Sequence, residues 1–162
     1  MPKIYVGTYA KYNAGSLKGK WLDLEDYSDY EDFQRACLKL HPDEDDPELM
    51  FQDFEEIPRG FVGEYWIDPE LWNYMNSDID DGVKTAFMYL FNAWDEDICN
   101  ESYIGEFRNL TALAEHLVDE QGLLGDIPEI MQNYFDYAAY GRDLEFGGDV
   151  CEDNNHYFWK NH

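Results

Sequence analysis

Residues 41–58, HPDEDDPELMFQDFEEIP, hold eight carboxylates and no Lys or Arg, yet Leu49, Met50, Phe51, Phe54 and Ile57 sit among the acids. Such a stretch folds only if its apolar side chains turn inward while the carboxylates stay wet, because an ionised carboxylate is not buried without a partner. The same interleaving runs along the whole chain. Residues 1–81 carry 20 of the 36 acids and residues 82–162 carry 16, and residues 40–107 set 19 acids against only Arg59 and Lys84. A disordered acidic tail would gather its charge into blocks poor in aromatics. This chain instead has 13 Tyr, 10 Phe and 5 Trp in 162 residues, so it is expected to fold throughout. A net charge of -25 on a compact globule of about 15 Å radius of gyration repels itself. An elongated shape relieves that repulsion.

Local patterns predict an α+β chain in three small parts: residues 1–61, an acidic helical part over 62–102, and residues 103–162. KIYVGTYAKYN and LKGKWLDL read as strands joined at Asn13-Ala14-Gly15, giving a hairpin over 3–24. A helix follows in SDYEDFQRACLKL, with Ser28 and Glu31 as a capping box and Tyr30, Phe33, Cys37 and Leu40 as its apolar stripe. ELMFQDFEEI is a third strand. Asp68-Pro69-Glu70 starts a helix carrying Leu71, Trp72 and Met75. The next helix, within residues 80–97, would bury Val83, Phe87, Leu90, Phe91 and Trp94. SYIGEF is a short strand, and NLTALAEHLVDEQG is a helix running from the Asn109 cap through Leu110, Leu113 and Leu117 to Gly122. IPEIMQNYFDYAAYG is read as one more helical segment. The Gly-Gly and Asp-Asn-Asn of residues 142–160 predict short strands joined by turns.

No catalytic or metal-binding pattern emerges. An EF-hand loop needs ligands at positions 1, 3 and 5 and Gly at 6. DEDICNESYIGE puts Cys99 and Asn100 at the last two, and SDIDDG has Ile at its third position, so calcium is not expected. His41, His116, His156 and His162 stand apart and read as surface or capping histidines. Cys37, Cys99 and Cys151 form no CxxC and read as buried reduced thiols. The glycines form no phosphate loop, and no Ser sits in a GxSxG turn. With 36 acids available, any chosen carboxylate pair carries no information about glycoside chemistry. Direct contact with nucleic acid needs clustered Lys and Arg, which this chain lacks, and its Tyr and Trp residues read as core. No run reaches the length of a membrane span, and the N-terminus lacks the apolar segment of a signal peptide. The expectations are no cofactor, no metal, no enzyme and a cytoplasmic location.

A folded acidic surface has another use, because a groove built to hold duplex DNA will also hold a protein that repeats DNA's charge. Duplex carries one charge per ~1.7 Å of axis, so 25 charges correspond to about 43 Å, and two chains to about 85 Å. IYVGTYAKYNAGSLKGKWLDL, SYIGEF followed by an acidic helix, and LLGDIPEIMQNYFDYAAYGRDLE resemble the ArdA antirestriction proteins, with the strongest likeness in residues 3–24 and 103–146. The resemblance implies an elongated three-part monomer that pairs into a curved, DNA-like homodimer. It also implies carriage on mobile genetic elements and inhibition of Type I restriction-modification enzymes by occupation of the DNA groove of the methyltransferase core. An acidic decoy or chaperone for some other basic DNA-binding protein is the alternative.

On this reading the DNA-mimic surface begins with Asp23, Glu25, Asp26, Asp29 and Asp32, then Asp43, Glu44, Asp45, Asp46 and Glu48, then Asp53, Glu55 and Glu56. It continues through Asp68, Glu70, Asp78, Asp80 and Asp81, then Asp95, Glu96, Asp97 and Glu101, and ends with Glu115, Asp119 and Glu120. LLGDIPE matches the family's antirestriction motif. The resemblance implies that this motif lies in the C-terminal part used for dimerisation. The segment holds only three acids, Asp126, Glu129 and Asp136, among many apolar residues, so Leu123, Leu124, Ile127, Ile130, Met131, Tyr134 and Phe135 are the expected dimer interface.

Overall fold

A computed structural model describes residues 1–160; the expectation for His162 lies outside the described residues. The fold is α+β, with eight α-helices and two three-stranded sheets among the described residues. Contacts gather the chain into two units, Met1–Ile79 with Phe91–Asp95, and Asp80–Leu90 with the stretch from Glu96 onward.

The first unit holds β1 (Lys3–Thr8), α1 (Tyr9–Asn13), β2 (Lys20–Asp23), a 3₁₀ turn (Leu24–Asp26), α2 (Tyr30–Lys39), β3 (Leu49–Glu55) and α3 (Glu70–Asn76). Its sheet runs β2-β1-β3, antiparallel throughout. The period-2 alternation of β1 puts Ile4 and Val6 fully inside while Lys3 and Tyr5 lie on the outer face. Tyr5 faces Trp21 on one side and Asp53 on the other, and a register shift after Tyr5 leaves Gln52 as the extra residue of a bulge in β3. The hairpin over 3–24 is present, but its connection contains α1. Thr8 ends the strand because its Oγ1 accepts from the Lys11 amide at 3.2 Å and so caps a helical turn.

The cap of α2 falls one residue later than Ser28. Asp29 Oδ1 accepts from the Asp32 amide at 2.8 Å, and the Asp32 carboxylate accepts in return from Ser28 N and Oγ. Phe33 and Cys37 of the predicted stripe are buried. Asp68 accepts from the Glu70 amide at 3.0 Å at the head of α3. Aromatic rings then fill the core: Trp72 lies 5.6 Å from Phe33, and Tyr74 sits between Phe61 and Trp94 at 5.0 and 5.1 Å.

The second unit holds α4 (Asp81–Phe91), α5 (Glu96–Ser102), β4 (Tyr103–Glu106), α6 (Leu110–Gln121), α7 (Glu129–Gln132), α8 (Tyr137–Phe146), β5 (Val150–Asp153) and β6 (His156–Trp159), with sheet order β4-β6-β5. Asn154 and Asn155 make the predicted turn between the last two strands, both with positive φ as a two-residue hairpin loop of this kind requires. α6 runs from the Asn109 cap to left-handed Gly122 as its end signals predict. Two expected helices are divided. α4 stops at Phe91, where Asn92 takes φ 54°; Trp94 is buried outside any helix, and the acids after it open α5 rather than a loop. The segment from Ile127 breaks between α7 and α8, because Asp136 Oδ1 accepts from the Ala139 amide at 2.9 Å and starts a new helix.

Leu113, Leu117, Leu144, Val150 and Tyr157 form a core cluster of this unit. α6 and α8 meet closely at buried Gly141, where an added Cβ would lie 2.6 Å from the Leu110 carbonyl oxygen. Ala would gain about 1 kcal/mol of helix propensity over Gly. Overpacking against backbone, which cannot rotate away, costs about 1–3 kcal/mol, and at this distance the steric term prevails. Gly141→Ala should therefore lower Tm, by up to about 8 °C, in calorimetry; a raised Tm would show that the two helices are not in contact there.

Candidate docking surface

None of the 36 Asp and Glu residues is buried. Among the acids expected to bear the surface, Asp23, Asp32, Glu44 and Asp68 are half-buried and the rest are exposed. Many have a local task as well as a charge. Asp23, Asp29, Asp68 and Asp80 accept backbone amides at the starts of turns and helices. Anionic caps satisfy amides that would otherwise lack partners and lie favourably in the helix dipole. Glu55 pairs with Lys3 at 3.0 Å, Glu56 with the N-terminal ammonium, Asp32 with Arg35 at 3.0 Å, and Glu120 with His116 at 2.7 Å.

The loop that opens the acidic 41–58 stretch is the most organised of these places. Lys11 Nζ, from α1, lies 2.8 Å from His41 Nδ1, 3.0 Å from Asp43 Oδ1 and 2.8 Å from Glu44 Oε2. Thr8 Oγ1 also donates to Glu44 at 2.8 Å. His41, Asp43 and Glu44 would otherwise be a candidate cation-ligating trio, but the chain's own ammonium occupies their common centre. Because Lys11 can only donate, His41 Nδ1 is the acceptor and its proton sits on Nε2, which is buried without a partner. The surface reading of histidine therefore fails for His41 and also for His156, both of which are buried; His116 is exposed. The signal for the Lys11 cluster is absent from local sequence, since its partners lie about thirty residues apart.

Hydrogen bonds from Lys11 hold the carboxyls of Asp43 and Glu44 below their ordinary values, and those of Arg35 and Ser28 do the same for Asp32. The Lys11 ammonium is raised in return, chiefly by Glu44. The carboxylate contributions are present above the ordinary acid range and are lost as pH falls through the lowered values. The Lys11 contribution is present below the ordinary lysine value and is lost as pH rises through the raised one. The loop is thus tied throughout the neutral range. Burial pushes the Cys37 thiol up to about 12 and the Cys99 thiol up to about 11, which keeps both inert. Cys151 is half-buried, and all three are free thiols.

In the second unit, Asp80, Asp81, Glu96, Asp97, Glu101, Glu115, Asp119 and Glu120 are all exposed. The apolar segment after Gly122 is also largely uncovered: Tyr134, Ile130, Met131, Leu123 and Ile127 are exposed, with Tyr134 at 78%. Leu124 is half-buried, and Phe135 is held against Tyr137 and Tyr140 at ring distances of 4.9 and 6.0 Å. The core reading of the aromatics is corrected at Tyr12, Tyr65, Trp66 and Tyr89 as well, which are exposed. No helix among the described residues is long and apolar enough to cross a membrane.

A comparison with curated proteins returned no match. The family model described as antirestriction protein (ArdA) matches residues 4–158, nearly the whole chain. Because that match spans nearly the whole chain, the chain belongs to the ArdA antirestriction protein family.

Proposed function

We propose that this protein acts in the cytoplasm, without catalysis, as a mimic of B-form DNA that occupies the DNA groove of a Type I restriction-modification enzyme. The observation that carries this reading is that a chain with 36 acids buries none of them and fixes many through caps and ion pairs. A fixed array of carboxylates suits a basic groove better than a mobile tail, since less side-chain freedom is lost on docking. Membership of an antirestriction family supports the choice of partner. A division of the chain into three parts at about residues 61 and 102 goes with this proposal, the middle part being the most acidic.

The acids should not contribute alike. Asp43 and Glu44 are tied to Lys11, whereas Asp45 and Asp46 are exposed beside them. In a titration of labelled duplex bound to the purified methyltransferase core, this protein should displace the duplex. Each of Asp45→Asn and Asp46→Asn should change the midpoint by no more than about fivefold, because single exposed charge pairs contribute about 0.2–1 kcal/mol. Glu44→Gln should instead lower Tm. Simultaneous binding of duplex and protein would overturn the proposal, and loss of all activity from one surface acid would refute distributed charge.

Pairing of two chains through the 123–135 segment is the second part of the proposal. Exposed Ile127, Ile130, Met131 and Tyr134 form an apolar patch rarely left open on a monomer, and a two-fold contact would bury it against its own copy. Sedimentation should find a dimer at micromolar concentration and a monomer for Met131→Glu. A monomeric unmodified chain would contradict this.

A further inference from the structure

The outer face of the first sheet carries a groove of about 490 Å³ that the acidic-surface reading leaves unused. Tyr5, Trp21 and Asp53 lie side by side across its three strands, and Met50 forms part of its lining. Tyr12 and Leu17, from the connection between β1 and β2, overhang it; both are exposed. The rings are fixed in place. Tyr5 Oη donates to the Leu17 carbonyl at 2.7 Å, and the Tyr5 and Trp21 rings meet edge to face at 5.5 Å. Asp53 Oδ1 accepts from the Phe54 amide at 2.8 Å, which orients the carboxylate and leaves its other oxygen available. Gln52, displaced by the bulge, lies over Gly7. Gln52 is itself part of the groove's lining, and a side chain at residue 7 would collide with it.

The same face already shows what this arrangement binds. Lys3 Nζ lies 5.0 Å from the centroid of the Trp21 ring and 3.0 Å from Glu55 Oε2, a cation held between an aromatic face and a carboxylate. Tyr5 and Asp53 repeat that pair one step along the sheet, where no cation among the described residues fills it. An incoming cation would find both a ring quadrupole and a charge-assisted acceptor. A guanidinium fits this pair better than an ammonium, because its plane lies flat on a ring while its fork donates to a carboxylate. The groove is open along one side, so the cation would arrive on a polypeptide rather than as an enclosed small molecule. Phosphate is excluded by the Asp53 carboxylate and by the net charge of -25.

We propose that this groove is an anchoring site for an arginine side chain presented by the restriction-modification enzyme. The proposal rests on the inhibitor reading for the source of the arginine, and it places a specific contact beside a distributed one. Hot spots at interfaces favour arginine and aromatic residues in just this way. The site lies on the sheet face of the first unit, so it also defines which face of that unit the enzyme meets.

Two measurements test it. In the first, the peptide acetyl-Gly-Arg-Gly-amide is titrated into the unmodified protein while the Trp21 indole signal is followed by NMR. It should shift Trp21 in a saturable way and bind at least about threefold more tightly than the Lys counterpart; no shift, or equal affinity for the two, overturns the site. In the second, affinity for the methyltransferase core is compared among Asp53→Asn, Tyr12→Ala and Asp46→Asn proteins. The first two should each lose about tenfold, and Asp46→Asn, which removes the same charge elsewhere, no more than about fivefold. Equal losses for Asp53→Asn and Asp46→Asn would overturn the anchoring site while leaving the inhibitor reading intact. Failure of the unmodified protein to bind the core at all would instead remove the inhibitor reading and, with it, the assignment of the arginine to that enzyme.

Discussion

An ionised carboxylate keeps its hydration unless a partner replaces it, and a chain with 36 of them must find 36 wet positions while still closing a core. That constraint shapes both units. Their sheets have only three strands, so a large share of each element borders solvent, and aromatic rings take a large part of the interior beside the aliphatic residues. Phe33, Phe61, Trp72, Tyr74 and Trp94 fill the first unit, and Tyr157 and Phe158 are buried in the second. Each aromatic removes more surface from water than an aliphatic residue would, which lets a small interior offset a charged exterior.

Carboxylates in this fold are structural parts as much as surface charge. Asp29, Asp68, Asp80 and Asp136 begin helices. Asp43 and Glu44 close round Lys11, so the most acidic loop is pinned by a cation from the first helix. Such tethering limits self-repulsion where the acids are densest and holds charges at defined places. Fixed position is what separates a surrogate for a regular phosphate array from a merely acidic protein, because a disordered segment would lose its freedom on docking.

Where a structural signal is short in range, it can be read directly from the chain. Asn109 and Gly122 mark both ends of α6, Asp-Asn-Asn marks the last turn, and the alternation from Lys3 to Val6 in β1 separates inside from outside. Tertiary partners are not legible in the same way. His41 reads as a surface residue because Lys11, which lies 30 residues earlier, meets it only through the tertiary fold. The break between α7 and α8 is concealed because apolar residues continue at helical spacing across it, and only the capping bond of Asp136 reveals it. α5 is hidden because acids at a helix start look the same as acids in a loop. Tyr5 and Trp21 alternate as core residues do, yet they occupy the sheet face that stays open.

The central claim is that folded carboxylates take the place of phosphates in a basic groove, and the salt dependence of binding tests it most directly. Duplex loses affinity with a slope near -0.9 per neutralised phosphate in a plot of log K against log salt, because condensed counterions are released. Carboxylates on a folded protein are spaced less densely and should release fewer. Affinity for the methyltransferase core, measured at several salt concentrations for this protein and for duplex, should fall in both cases, with the shallower slope for the protein. An affinity indifferent to salt would mean that the acids serve solubility alone and would contradict the account.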